Sequence, residues 1–65
     1  MPSNPPTGVC VVRVERQAPG VLITVTVNPD VTTRSGEESR HFSTVATAVR
    51  AVDDFLAGFA RDWKN

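Results

Sequence analysis

The sequence has few of the residue types that build catalytic or metal sites. Its 65 residues include one cysteine, Cys10, one histidine, His41, one lysine and no tyrosine. A closed zinc site takes about four ligands and a disulfide needs a second cysteine, so the chain can form neither by itself. Cys10 and His41 could act as nucleophile and base only from one face of the fold, and the strand pattern below puts them on opposite faces. We therefore predict a protein that is not an enzyme and binds no cofactor or metal, with Cys10 as a small core residue.

Long hydrophobic segments are also missing. The longest apolar runs are residues 9–12 and 21–23, whereas a membrane-spanning helix needs about 20 consecutive apolar residues. The first eight residues have neither the basic nor the apolar part of a secretory signal, and small secreted domains usually carry several cysteines. These features predict a soluble, cytoplasmic protein without a membrane partner.

The charges do not favour one sign. Seven Lys and Arg balance seven Asp and Glu, so the formal net charge is zero. Nucleic-acid binders gain much of their affinity by neutralising phosphates with cations, so this balance disfavours a nucleic-acid partner. A chain of 7.0 kDa is also marginally stable alone, because so small a domain buries only about 60% of its unfolded surface. Self-association is the expected source of further stability, and we predict a homodimer.

Residues 1–8 hold three of the five prolines and predict a flexible N-terminal tail, followed by a single domain over residues 9–65. Apolar side chains alternate over residues 9–16 and 21–27, which predicts two strands separated by a turn at residues 17–20. Residues 31–34 are expected to resume the second strand past a bulge, and residues 38–42 to form a third strand. The side chains predicted to face the core are Cys10, Val12, Val14, Val21, Ile23, Val25, Val27 and Phe42.

A helix is predicted from about residue 44 to residue 63, with Ser43 or Thr44 as its N-cap. Apolar residues recur there at steps of three and four and form one stripe along the helix. The stripe consists of Val45, Ala48, Val49, Val52, Phe55, Leu56, Phe59 and Trp63. The predicted fold is therefore α+β, a three-stranded antiparallel β-meander with one C-terminal amphipathic helix packed on one face, in a two-layer ββ-βα arrangement.

One helix covers only one face of such a sheet, and the other face carries several apolar or weakly polar side chains. We predict that this face is a self-association surface, used either face to face or through a strand edge. Its candidate residues are Val9, Val11, Leu22, Thr24 and Thr26. The predicted function is that of a small intracellular interaction or regulatory protein, with an unidentified protein as a second candidate partner beside the homodimer.

An alternative function rests on the second hairpin. Arg34, Arg40 and His41 lie around it and could contact a phosphate backbone, as in a nucleic-acid-associated regulator. Glu37 and Glu38 belong to the same hairpin and offset these cations. Binding that weakens steeply with added salt would support this alternative.

The order of three strands and a helix resembles the latter part of a double-stranded-RNA-binding domain. It also resembles the small HicB-type antitoxin domains. Both are resemblances of topology alone: residues 44–47 carry no cation where the first family has lysines, and the glycine-rich strand motif of the second is absent. No residue role is carried over from either family.

Overall fold

The computed structural model describes residues 6–31 and 36–64, with side chains as far as Arg61. Its elements follow the order β1 (Val9–Gln17), β2 (Gly20–Asn28), β3 (Glu38–Phe42) and α1 (Val45–Lys64). The three strands form one antiparallel sheet in the order β1-β2-β3, and the helix packs on one face of it. The predicted α+β meander with a C-terminal helix is confirmed. Of the tail predicted over residues 1–8, residues 1–5 lie outside the described residues. Of the resumed strand predicted over residues 31–34, Val31 lies in a turn and residues 32–34 lie outside the described residues.

The register of the sheet follows the alternation in the sequence. Val12 and Val14 of β1 lie opposite Val25 and Ile23 of β2, and Ile23 lies opposite Phe42 of β3. β-branched side chains suit a pleated surface, and their alternation sends one set toward the helix. A two-residue turn, Ala18-Pro19 with a cis peptide bond, joins β1 to β2. Within the described residues no glycine has positive φ, so the turn does not depend on a left-handed backbone conformation at Gly20.

The helix begins where the sequence supplies a cap. The backbone N–H of Thr47 donates to the Thr44 hydroxyl at 3.3 Å, which satisfies one of the unpaired donors of the first turn. Thr44 is thus the N-cap that was predicted as one of two candidates. The helix then runs back across the sheet, so that Ala48 packs near Ile23 and Val25 at the centre of the core.

The core is small. Only Ile23, Val25 and Ala48, with 4%, 2% and 5% of their surface exposed, are buried among the described residues. A ring of partly buried side chains packs against them: Cys10, Val21, Val27, Phe42 and Val52. So few buried groups leave a domain of this size with little hydrophobic stabilisation of its own.

The helix lies over β2 and β3 and leaves most of β1 uncovered, although Cys10 of β1 still packs against the core. Val12 and Val14 face the helix side of the sheet, yet they are 50% and 59% exposed. A helix is about 10 Å wide and strands are about 4.8 Å apart, so one helix can cover two strands but not three. The prediction that Val12 and Val14 belong to the core is therefore wrong, although their predicted side of the sheet is confirmed.

The segment before β1 is packed against the domain. The carbonyl of Thr7 accepts a hydrogen bond of 3.0 Å from the N–H of Val31. Gly8 lies against the second half of the helix, where an added Cβ would stand 2.9 Å from Phe59 and 3.2 Å from Phe55. The two rings pack together with their centroids 6.1 Å apart. A glycine is thus required by the close approach of this segment to the rings.

Gly8→Ala is expected to lower the free energy of unfolding by about 1–2 kcal/mol, because the new methyl group pushes on the Phe59 ring. Urea denaturation measures the change. Gly58→Ala is the matched control, since a Cβ there meets nothing within 4 Å and alanine favours a helix by about 1 kcal/mol over glycine. Equal or greater stability of the Gly8 variant would contradict the packing of this segment.

Candidate interaction surfaces

An apolar groove runs between the uncovered strand β1 and the helix. It has a volume of about 290 Å³, and the side chains that line it are all aliphatic among the residues that the structure describes. We call it the valine groove; its lining residues are Val12, Val14, Ile23, Val45, Ala48, Val49 and Val52. Ligand pockets usually contain a few placed polar groups that orient the ligand, and this groove offers no polar side chain.

The two walls of the groove consist of apolar side chains that are at least half exposed. On the helix, Val45 and Val49 keep 66% and 59% of their surface exposed, and Val12 and Val14 form the opposite wall. The apolar stripe of the helix is wider than the part of the stripe that contacts β2 and β3. The remaining apolar side chains, Val45 and Val49, therefore face β1. Exposed valines on two facing elements amount to a contiguous patch, which differs from singly scattered surface residues.

The two edges of the sheet differ in length and charge. β1 is nine residues long, and its groove side carries Cys10, Val12 and Val14, followed by Arg16 near the end of the strand. β3 is five residues long and places Glu38 and Arg40 on that same side. Short strands and inward-facing charges are the usual protection against edge pairing. β3 has both forms of protection, whereas β1 is long and has a single charge on this side, Arg16, near its end.

The residues predicted for self-association, Val9, Val11, Leu22, Thr24 and Thr26, lie on the sheet face away from the helix. Val9 and Val11 are 41% and 53% exposed. This face also contains cross-strand polar pairs: the Thr24 hydroxyl and His41 Nδ1 are 3.0 Å apart, and the Thr26 and Ser39 hydroxyls are 2.8 Å apart.

An ion pair joins two side chains of β1 on the same outer face. Arg13 Nη2 lies 2.6 Å from Glu15 Oε2. Such exposed pairs contribute little to stability. The outer face is therefore more polar than the groove side, apart from its Val9 and Val11 corner.

The residues of the phosphate-binding alternative are not brought together on one face. Arg34 lies outside the described residues. Arg40 points to the helix side, where its guanidinium lies 5.9 Å from the centre of the Phe42 ring, and His41 points to the opposite side with Thr24. Arg40 and His41 therefore cannot contact one phosphate from the same face.

Cys10 and His41 also lie on opposite faces, as predicted: Cys10 is half-buried beside the core, and His41 is exposed on the outer face. Across residues 6–31 and 36–64, no group of acidic, His and Cys side chains is placed to hold a metal ion. The helix in that part of the chain is not long and apolar enough to cross a membrane.

Comparison of the chain with protein-family models, with curated proteins and with solved structures finds no match. The assignment of surfaces therefore depends on the residues themselves. Sequence reasoning missed the valine groove, since it assigned every valine on the helix side to the core. One signal was available: the apolar stripe at positions 45, 49 and 56 extends well to one side of the stripe at positions 48, 52 and 55.

Proposed function

We propose that this protein is a small, non-enzymatic interaction protein of the cytoplasm that works as a homodimer. The observation that carries the proposal is the valine groove, an aliphatic surface that a lone chain leaves in water. Soluble monomers rarely expose contiguous apolar patches of this kind, and such patches typically mark interaction sites.

The size of the core gives the proposal its energetic reason. Three buried residues stabilise the chain weakly, whereas four half-exposed valines, Val12, Val14, Val45 and Val49, retain on the order of 1 kcal/mol each of unused hydrophobic free energy. Covering them on two chains would contribute about 8 kcal/mol. Association of two chains costs several kcal/mol and a micromolar dimer needs about 8 kcal/mol net, so the valines supply part of the required free energy and further contacts between the chains must supply the rest.

Sedimentation velocity at physiological salt is expected to show a species of twice 7.0 kDa. The measurement should cover chain concentrations from about 1 to about 200 µM, a range that includes and exceeds a micromolar dissociation constant. The melting temperature should rise with protein concentration, because association stabilises the folded chain by mass action. A folded chain that stays monomeric throughout this range would refute the homodimer.

The nucleic-acid alternative keeps a separate test. A gel shift with double-stranded DNA and RNA at low salt is expected to show no retained complex, because the net charge is zero and Arg40 and His41 point to opposite faces. A complex that weakens steeply with salt and is lost in an Arg40→Gln variant would instead support a regulator that contacts phosphates.

A further inference from the structure

We propose that two copies of this chain pair through the free edge of β1, which joins their sheets into one six-stranded sheet with both helices on the same face. This inference rests on the proposed homodimer and specifies how it is built. Antiparallel pairing of β1 with itself has a twofold axis perpendicular to the sheet, which is the symmetry of an isologous dimer.

The first argument is that the open edge and the valine groove share residues. Val12 and Val14 belong to both, because they lie on the edge strand and form one wall of the groove. Whatever covers the groove must pass the unpaired backbone groups of β1. An occupant that supplies a strand edge satisfies those groups and lies beside the valines of β1, whereas a purely helical or small-molecule occupant leaves the backbone groups unpaired.

The second argument is that the chain is complementary to itself on one side of the sheet. A perpendicular twofold axis leaves each helix on the same face, so the grooves of the two copies open toward each other. Because alternation continues across a strand pair, Val12 and Val14 of both copies form one apolar row. Val45 and Val49 of each helix stand beside that row, where they are 66% and 59% exposed in the single chain.

The third argument concerns which edge pairs. β3 is short and carries Glu38 and Arg40 toward the helix side, so pairing there would bring charges together beside the helix. β1 carries its charged pair, Arg13 and Glu15, on the outer face, where the two neutralise each other and stay in water. On the helix side β1 carries one charge, Arg16, which lies beyond Val14 near the end of the strand and leaves the row of Val12 and Val14 uncharged.

Hydrogen exchange of the wild-type protein tests the pairing without a substitution. In a lone edge strand, alternate N–H groups point away from the neighbouring strand into water. Above the dissociation constant, NMR exchange should find those N–H groups of β1 slowed by a factor on the order of 100, as for amides inside a sheet. The outward N–H groups of β3 should stay fast and serve as the internal reference. A dimer in which the outward β1 amides exchange as fast as those of β3 would overturn edge pairing and leave the homodimer intact.

Two lysine variants separate the helix side of β1 from its outer face. Val12 and Val11 are neighbours, are 50% and 53% exposed, and point to opposite sides of the sheet. Val12→Lys should raise the dissociation constant about 100-fold or more because it places a charge in the apolar row, whereas Val11→Lys should change it by less than about fivefold. Sedimentation measures both constants, and circular dichroism checks that both variants fold.

Each other result has a defined meaning. Loss of the dimer in Val11→Lys alone would assign association to the outer sheet face of Val9, Val11, Leu22, Thr24 and Thr26, and would overturn edge pairing only. A wild-type monomer would overturn the homodimer and with it this inference. Should Val12→Lys fail to fold, the exchange of the wild-type amides decides.

Discussion

Ile23→Ala is expected to lower the free energy of unfolding by about 2–4 kcal/mol, as large-to-small substitutions in a packed core do. Ile23 is 4% exposed and lies between Val14 and Phe42 on the central strand, beneath Ala48. Its removal leaves a cavity that neither neighbouring strand can fill. Since stabilities of small domains are only about 5 kcal/mol, the variant should be largely unfolded near 37 °C by circular dichroism.

Ile23→Val is the graded control for this prediction. It removes a single methyl group and should cost about 0.5–1.5 kcal/mol. Both variants should be compared with wild type at one protein concentration, so that the extent of association does not enter the difference. If Ile23→Ala unfolded no more easily than Ile23→Val, Ile23 would not be at the centre of the core.

Phe55→Ala is expected to cost about 3 kcal/mol, the second large effect. Phe55 is half-buried. It packs the second half of the helix against the sheet and against the segment before β1. Its ring packs on Phe59 and lies 3.2 Å from the position of a Cβ on Gly8. Thermal unfolding should show a marked fall in melting temperature, together with loss of protection at the N–H of Val31, which bonds to Thr7.

Phe55→Leu distinguishes the stabilisation that comes from the aromatic ring from the stabilisation that comes from apolar side-chain volume. Leucine keeps most of the apolar volume, and such hydrophobic replacements usually cost less than about 1.5 kcal/mol. A fall in stability as large as that of Phe55→Ala would mean that the contact between the two rings dominates. A negligible effect of Phe55→Ala would place Phe55 outside the packed interface of helix and sheet.

The elements of this fold could be predicted almost residue by residue. Alternation fixes the strands because side chains in a strand point to opposite faces, and β3 begins and ends where the sequence indicates, at Glu38 and Phe42. The Thr44 cap and the period of the apolar stripe place the helix start to within a residue. These signals are local, so a single sequence contains them.

The position of the helix across the sheet could not be predicted, and the candidate site depends on it. Val14 and Ile23 lie opposite each other on the same face and give the same signal in the sequence. They are nevertheless 59% and 4% exposed. Alternation tells which face a side chain joins, but not how far the covering layer extends over that face. The sequence therefore directed attention to Val11 and Leu22 on the outer face rather than to the groove beside β1.

The difference between the two sheet edges also bears on how far assembly can grow. A chain with two adhesive edges adds copies without end, as in amyloid-like fibrils. In the proposed dimer the charged, five-residue β3 would end the sheet on each side, so that pairing of two β1 strands would leave no uncharged edge free. The proposed association would thereby be self-limiting, and we expect a replacement that made β3 longer and uncharged to be the change most apt to turn the proposed dimer into an open-ended polymer.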